Sequence, residues 1–176
     1  IEGTQIKSLS RYKECRDVSF IGCKMIDNVD DVCDVYMLRV TGSSRLNRLP
    51  MMKNIVHLDL SNCNRLCDIS SLRYSVLLLD VNLSYTNVVE VKSVSHVLNL
   101  IVDGCSNIKN INEDISYSLI EFLSINDIVN ISVLNIEMTN IEYIDCKRCT
   151  NLSSIMTNNV LKYISCKGCT ELSIVG

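Results

Sequence analysis

The sequence lacks tryptophan and alanine, and it contains only two phenylalanines, one proline (Pro50) and one glutamine (Gln5). With so few aromatic residues, a core must be built mainly from Leu, Ile and Val. No run of about 18 apolar residues occurs, so no transmembrane helix is expected. The scarcity of Ala and Pro beside abundant Asn, Ser and Ile supports the hypothesis of an AT-rich genome, such as that of a large DNA virus, a protist or an AT-rich bacterium.

The charge balance also excludes some function classes. The formal net charge is -3, with 47% hydrophobic and 21% charged residues. That composition predicts a packed domain rather than a disordered chain. Without a basic excess, no nucleic-acid partner is expected. No secretory signal is visible at Ile1. We expect a cytoplasmic protein, or one in the host cytoplasm if the source is a virus or a pathogen.

A repeated unit organises the whole chain. Its clearest copy is Ile55–Leu66, IVHLDLSNCNRL, in which apolar residues occupy positions one, four, six and twelve and a cysteine occupies position nine. Eight consecutive copies fit this template, and their spacing is 19–23 residues. The ninth positions are Cys23, Ser43, Cys63, Thr86, Cys105, Ile128, Cys149 and Cys169.

Each unit has the pattern of a short strand followed by a return segment. Positions four and six alternate with polar residues, which predicts a strand that buries one face. A small or polar side chain at position nine can hydrogen-bond buried backbone groups where the strand turns. The return segments are too short for long helices, and we predict irregular or 3₁₀ structure there. A helical turn is predicted at Glu113–Leu119, and Ile131–Ile141 is placed on the return path.

This pattern resembles the leucine-rich-repeat family over the full chain, and in particular the short repeats of bacterial internalins and of kinetoplastid proteins. Cys at position nine resembles the cysteine-bearing variants, and Ile128 departs from them. The resemblance implies a β-dominated α/β solenoid, a horseshoe with a parallel concave sheet and mostly irregular or 3₁₀ convex segments. We expect residues 1–176 to form a single domain. We expect both of its ends to be uncapped, with Thr4 in the tail of an earlier repeat, and the natural protein to be longer.

The cysteines have three interpretations. Cys146-x-x-Cys149 and Cys166-x-x-Cys169 match the spacing of a four-cysteine zinc site. Equivalent cysteines on neighbouring strands are also close enough for disulfides. The repeat register favours a third interpretation, because eight of the ten cysteines fall in core or ninth-position slots, with Cys33 and Cys67 on the return path. We therefore expect buried thiols in a reducing compartment, with no metal and no cofactor.

One group of residues suggests a catalytic interpretation. His57, Asp59 and Asp80 project from neighbouring strands, and Cys63 is near them in sequence. A cysteine hydrolase needs the thiol beside the histidine, but position nine faces the core and away from His57. We expect no enzyme activity. Gly22, Gly42, Gly104 and Gly168, which precede position nine, are predicted to be turn residues.

The third, fifth and seventh positions are predicted to form the exposed face of the sheet. Its middle contains three acidic residues, Asp59, Asp80 and Asp103. Its C-terminal part contains an aromatic column, Phe122, Tyr143 and Tyr163, flanked by the cations Lys147, Arg148, Lys162 and Lys167. Aromatic residues beside cations are typical of protein-binding hot spots, although neighbouring aromatics also stabilise a sheet. We expect a protein partner on the concave face. The alternative is a substrate-recognition arm of a ubiquitin-ligase adaptor or of a pathogen or viral effector.

Overall fold

The computed structural model describes residues 1–3 and 5–175, so Thr4, assigned above to an earlier repeat, lies outside the described residues. Each repeat contributes one strand to a long parallel sheet and then returns along the other side of the core. The strands are β1 (Asp17–Ile21), β2 (Met37–Thr41), β3 (His57–Asp59), β4 (Asp80–Asn82), β5 (Asn99–Ile101), β6 (Phe122–Ser124), β7 (Val133–Asn135), β8 (Tyr143–Asp145), β9 (Ser154–Met156), β10 (Tyr163–Ser165) and β11 (Ile174–Val175).

The long sheet has the order β1-β2-β3-β4-β5-β6-β8-β10, and all of its strand pairs are parallel. Its register places equivalent repeat positions side by side. Val18 pairs with Leu38 at position four, for example, and Tyr143 pairs with Tyr163 at position three. The register predicted from the repeat pattern is therefore confirmed for all eight strands, and the architecture is that of a leucine-rich-repeat solenoid.

The core is one continuous aliphatic column beneath the long sheet. The side chains at position six are almost all fully buried: Phe20, Val40, Leu60, Leu83, Val102, Ile125 and Cys146. One repeat alone has no second layer to cover these side chains, so the burial comes from stacking on neighbouring repeats.

Cys15 is an exception to the predicted burial. It occupies position one of the first unit, where a core side chain was expected, but it is exposed. At this end of the core the space is filled by Tyr12, whose ring meets that of Phe20 edge-on with the ring centroids 5.1 Å apart. The prediction of a core slot for Cys15 is therefore wrong.

The return segments are mostly irregular or 3₁₀, as predicted. The 3₁₀ segments are Ser10–Tyr12, Asp30–Val32, Ser70–Tyr74 and Lys92–Val94. A short helix, α1 (Ile111–Ile115), overlaps the predicted turn at Glu113–Leu119 but begins two residues earlier. It buries Ile111 and Ile115, which lie one helical turn apart, and it stops before Tyr117, whose φ of 59° is left-handed.

The later return segments form a second, short parallel sheet, which the sequence analysis did not predict. Its order is β11-β9-β7. Ile131–Ile141 lies on the return path, as expected, and contributes β7. The outer edge of β7 is occupied by Asn112 of α1, whose side chain donates to Val133 O at 3.0 Å and accepts from Asn135 N at 2.9 Å. The Asn112 amide thus takes the place of a further strand at this edge.

Candidate functional site

The open face of the long sheet is the surface formed by positions three, five and seven, opposite the buried positions four and six. The strand pairings place columns three and five as the repeat pattern predicts. Column three runs Asp17, Met37, His57, Asp80, Asn99, Phe122, Tyr143, Tyr163. Column five runs Ser19, Arg39, Asp59, Asn82, Ile101, Ser124, Asp145, Ser165. These side chains share one surface because successive residues of a strand point to opposite faces.

The middle of this face contains a depression over β2–β5 with a volume of about 340 Å³. Among the residues that line it are Arg39, His57, Asp59, Asp80 and Asn99. The Asp80 carboxylate is hydrogen-bonded to His57 Nδ1 and accepts from the Asn99 side-chain amide. Arg39 Nε forms an ion pair with Asp59 Oδ2 at 3.1 Å. The predicted acidic residues Asp59 and Asp80 therefore line the same depression, and each belongs to its own polar group.

Asp103, the third predicted acidic residue, belongs to a separate network between β5 and β6. Its Oδ1 accepts from the Ser124 hydroxyl at 2.6 Å and from Asn126 N at 2.8 Å. Its Oδ2 accepts from the Asn126 side chain at 3.1 Å, and Asn126 Oδ1 in turn accepts from Lys147 N at 2.6 Å. This network links three successive repeats at the level of Ile128, where position nine has no polar group.

The predicted aromatic column lies at the C-terminal end of the face. Phe122 is half-buried, whereas Tyr143 is 41% exposed and Tyr163 is 57% exposed. Tyr143 and Tyr163 are direct strand neighbours. Within residues 1–3 and 5–175, the ring-to-ring contacts join Tyr12 with Phe20 and Tyr36 with His57, and none joins the two tyrosines of this column.

Three of the four predicted cations form ion pairs within the chain. Lys147 pairs with Asp145 at 2.8 Å and Lys162 with Glu142 at 2.6 Å. These carboxylates raise the pKa of both lysines. In the described part of the chain Lys167 has no such pair. The surface around the aromatic column is therefore less basic than its number of Lys and Arg residues suggests.

Arg148, the remaining cation, forms a two-point ion pair with Asp127. Its Nε and Nη2 lie 2.6 and 2.7 Å from the two carboxylate oxygens, and this pairing lowers the pKa of Asp127 and raises that of Arg148. Both residues have left-handed backbone angles. They occupy position eight, which is left-handed in all eight repeats. Four of these positions are the predicted turn glycines, and the others are Asn62, Tyr85, Asp127 and Arg148.

The cysteines at position nine connect successive repeats. In four of the five, the thiol donates to the carbonyl of position six in the preceding repeat. Cys63 donates to Val40 O at 3.1 Å, Cys105 to Leu83 O at 3.0 Å, Cys149 to Ile125 O at 3.0 Å and Cys169 to Cys146 O at 2.9 Å. Position nine thus satisfies backbone groups at the turn, as predicted. No disulfide joins any of the cysteines within residues 1–3 and 5–175.

These contacts bear on the zinc and hydrolase interpretations. Among residues 1–3 and 5–175, no group of three or more His, Cys, Asp or Glu side chains is placed to hold a metal ion. Cys63 is fully buried, and its burial raises the pKa of the thiol to about 11. A nucleophilic cysteine needs an accessible thiol with a lowered pKa. Cys63 has the opposite properties, and its thiol donates to a core carbonyl rather than to His57.

The structure adds residues that sequence reasoning missed. Tyr36, at position two, packs its ring edge-on against His57 with the centroids 5.5 Å apart, and the Arg16 guanidinium lies 4.5 Å from the Tyr36 ring centroid. Arg39 and Asn99 were placed on the face but were not assigned a role. Position two precedes the strand and lies outside the three columns, so the column analysis could not include Tyr36. The signal available in the sequence was an aromatic residue directly before β2, the strand that pairs with the strand of His57.

Comparisons with known proteins found one similar solved structure. No protein-family model matches the sequence, and no curated protein matches it. Among solved structures, the chain is similar to the functional domain of InlJ from Listeria monocytogenes, which is described as including a cysteine ladder. The two are 11% identical with a TM-score of 0.47, and the alignment covers 94% of this chain and 47% of that one. The chain thus spans about half the length of that structure.

No helix in residues 1–3 and 5–175 combines the length and the apolar character needed to cross a membrane.

Proposed function

We propose that this chain is a protein-interaction module that binds another protein through the open face of the long sheet. One observation carries the proposal: Tyr143 and Tyr163 project side by side from adjacent strands, and about half of each side chain is exposed. Tyrosine is enriched in binding hot spots because a large, stiff side chain buries much area at a small entropy cost. This exposure leaves part of each ring open to a partner, and no ring contact joins the two in the described part of the chain.

The surroundings of the two tyrosines support this role. Lys162 lies 5.9 Å above the Tyr143 ring and is held by Glu142, so the ring is flanked by a charged rim. Lys167 lies just beyond the end of β10, next to the segment that contains Lys147. Lys147 itself pairs with Asp145. Apolar rings surrounded by polar groups match the usual anatomy of a protein interface, with an apolar centre and a polar rim. Phe122, which is half-buried, supports the column from the neighbouring strand β6.

The cysteine environments support a reducing compartment for this function. No disulfide occurs within residues 1–3 and 5–175, and the thiols of Cys63, Cys105, Cys149 and Cys169 donate hydrogen bonds to the backbone. Disulfides are rare in the cytosol, and buried thiols there act as small apolar side chains. We therefore propose that the chain binds its partner in the cytoplasm.

The test is a quantitative comparison of proteins captured by three forms of the chain. The wild type, the double variant Tyr143→Ala/Tyr163→Ala and the control Tyr74→Ala are immobilised in extract of the cells that express the chain. Tyr74 is 54% exposed and lies on the return path, so its loss removes a similar ring from another surface. Captured proteins are quantified by mass spectrometry, and the affinity of a candidate partner is then measured with purified protein.

We expect a partner that the wild type and Tyr74→Ala capture equally and the double variant loses. Truncation of one hot-spot side chain costs about 2 kcal/mol, which is a factor of roughly 30 in affinity. A captured protein counts as support only if it shows this difference. Equal capture by all three forms would move the interface away from Tyr143 and Tyr163. Equal loss by the control would indicate nonspecific adhesion.

A further inference from the structure

The depression over β2–β5 has walls of mixed character. Met37 and Ile101 contribute apolar surface, while Asp59 and Asp80 contribute carboxylates from neighbouring strands. Side chains of both acids are partly exposed, 23% for Asp59 and 39% for Asp80. The cavity volume of about 340 Å³ lies near the lower end of the range for ligand pockets and is large enough for one long side chain.

His57 is held in one orientation at the side of this depression. Its Nδ1 is hydrogen-bonded to Asp80, and its ring meets Tyr36 edge-on. In the neutral ring, a proton on Nδ1 that is donated to the carboxylate leaves Nε2 as an acceptor. No described residue donates a hydrogen bond to His57 Nε2. With the ring neutral, the depression therefore presents an unused acceptor on a fixed ring.

Acceptors outnumber donors around the depression. Each carboxylate offers about four acceptor sites. Asp59 uses them for Arg39 and for Ser61 N at 3.1 Å, while Asp80 uses them for His57 and Asn99. Arg39, the one cation in the lining, is already paired with Asp59. Two negative charges therefore face one positive charge, and acceptor sites remain open.

The charge distribution of the whole face agrees with this local imbalance. Outside the depression, Asp17 and Asp103 lie on the same half of the open face, on β1 and just beyond β5. The lysines of the face, Lys147 and Lys167, lie at the opposite end, beyond β8 and β10. An anionic group in the depression would meet two carboxylates, whereas a cationic group would meet complementary charge.

We propose that the depression binds an arginine or lysine side chain of the partner protein, an inference that rests on the proposed function and specifies the partner's chemistry. The aliphatic stem of such a side chain packs against Met37 and Ile101. Its N–H groups donate to Asp59, Asp80 and His57 Nε2, and charge-assisted hydrogen bonds of this kind are the strong ones. The partner thus contacts the face at two points, with a basic side chain here and an apolar surface at Tyr143 and Tyr163.

The test uses N-acetyl-L-arginine amide as the probe and the 176-residue chain as the protein. Binding is followed by NMR through backbone amide shifts of β2–β5, and N-acetyl-L-citrulline amide serves as the neutral probe of the same shape. The variants Asp59→Asn and Asp80→Asn each remove one carboxylate of the depression. The matched control is Asp17→Asn, which removes the same charge from the same column of the face but outside the depression.

We expect the arginine probe to shift amides of β2–β5, with a dissociation constant in the millimolar range for a single side chain. Either depression variant weakens this binding about tenfold, since it removes a charged hydrogen-bond partner, while Asp17→Asn leaves it within a factor of two. Equal shifts with the citrulline probe, or an equal loss in Asp17→Asn, would overturn the proposal. Two independent depression variants are used in case one of them misfolds. Misfolding would show as a loss of dispersion in the amide spectrum.

The titration involves no partner protein, so its outcome is separate from that of the capture experiment. If the arginine probe causes no amide shifts while capture still depends on Tyr143, only the proposal that the depression binds a basic side chain is refuted. Loss of Tyr143-dependent capture with a positive titration would refute the proposed interface and leave an arginine-binding depression.

Discussion

The hydroxyl of Tyr85 donates a hydrogen bond of 3.2 Å to Asp127 Oδ2, across 42 residues of sequence. Between them in the stack lies Gly104, and the Tyr85 ring covers it so closely that a Cβ at this position would come within 2.5 Å of Tyr85 Cε1. Tyr85 thus spans two repeat steps along the edge of the long sheet. It does so from a left-handed backbone with φ of 57°, a conformation that costs a residue other than glycine about 1–2 kcal/mol.

This relationship predicts that Gly104→Ala is more destabilising than the same substitution at Gly42. Both glycines are left-handed, with φ of 66° and 70°, so each alanine costs about 1–2 kcal/mol in backbone strain. At Gly42 the added Cβ meets nothing closer than 3.5 Å, which is ordinary contact. At Gly104 it also displaces the Tyr85 ring, and overpacking adds about 1–3 kcal/mol. Urea unfolding of the two variants measures the difference in the free energy of unfolding.

The double variant Tyr85→Ala/Gly104→Ala separates the two contributions. Once the ring is removed, the additional cost of alanine at Gly104 should fall to the value measured at Gly42. If Gly104→Ala and Gly42→Ala cost the same in the wild-type background, the ring does not hold the position that the structure shows.

The buried thiols predict a loss of stability in alkaline solution. Burial raises the folded-state pKa of Cys63 to about 11, from a value near 9 for a free thiol. As pH rises, the unfolded chain releases this proton first. The stabilising contribution is therefore complete below about pH 9 and is lost progressively as pH approaches 11. Cys63→Ser removes this titration, so its free energy of unfolding should decline less than that of the wild type between pH 8 and pH 10.5.

Two substitutions serve as references for this pH effect. Cys67→Ser changes an exposed thiol and should leave the alkaline decline unchanged. Cys63→Ala removes the hydrogen-bond donor to Val40 O, whereas Cys63→Ser keeps a hydrogen-bond donor at this position. Serine is tolerated at this position, because Ser43 at the equivalent site donates to Ile26 O at 2.5 Å. The alanine variant should therefore be the less stable of the two at pH 8. An unchanged alkaline decline in Cys63→Ser would mean that the Cys63 thiol is not buried in solution.

The period of the repeat determined most of what the sequence could predict. Once position nine was aligned, the register of Leu58 with Val81 and the outward direction of His57 followed, since only one register buries every aliphatic side chain. Left-handed turns were predicted only where glycine occurs. Tyr85 and Asp127 adopt the same turn without glycine, because the solenoid imposes the backbone angle and side-chain contacts along the stack offset part of its cost.

Other features depend on side-chain pairing that a repeat template does not encode. Lys147, Arg148 and Lys162 are cationic in sequence, but each meets a carboxylate in the structure. Two of these carboxylates, Asp127 and Glu142, lie in the preceding repeat, so the pairing becomes visible only after the repeats are stacked. The short sheet was missed for a related reason. Its strands lie on the return segments, outside the strand positions of the repeat template, and they pair only after the repeats are stacked.

The buried carboxylate of Asp114 predicts a stabilising substitution. It lies in α1, and its Oδ2 accepts from Val91 N at 2.8 Å. Burial raises its pKa, so folding favours the protonated form. The stability that this provides is complete below the pKa of the unfolded chain and is lost as pH rises through the folded pKa. At pH 7 the charged form is a cost, and Asp114→Asn removes it while the amide oxygen still accepts from Val91 N.

We expect Asp114→Asn to raise the free energy of unfolding at pH 7 by about 0.5–1 kcal/mol, in the range of single stabilising substitutions. At pH 3.5 the gain should vanish, because the wild-type carboxyl is then protonated in the folded chain. Glu113→Gln is the control, since it removes the same charge from the exposed side of α1 and should change stability by less than about 0.5 kcal/mol. Lower stability of Asp114→Asn at pH 7 would show that the charged carboxylate binds Val91 N strongly enough to outweigh its burial.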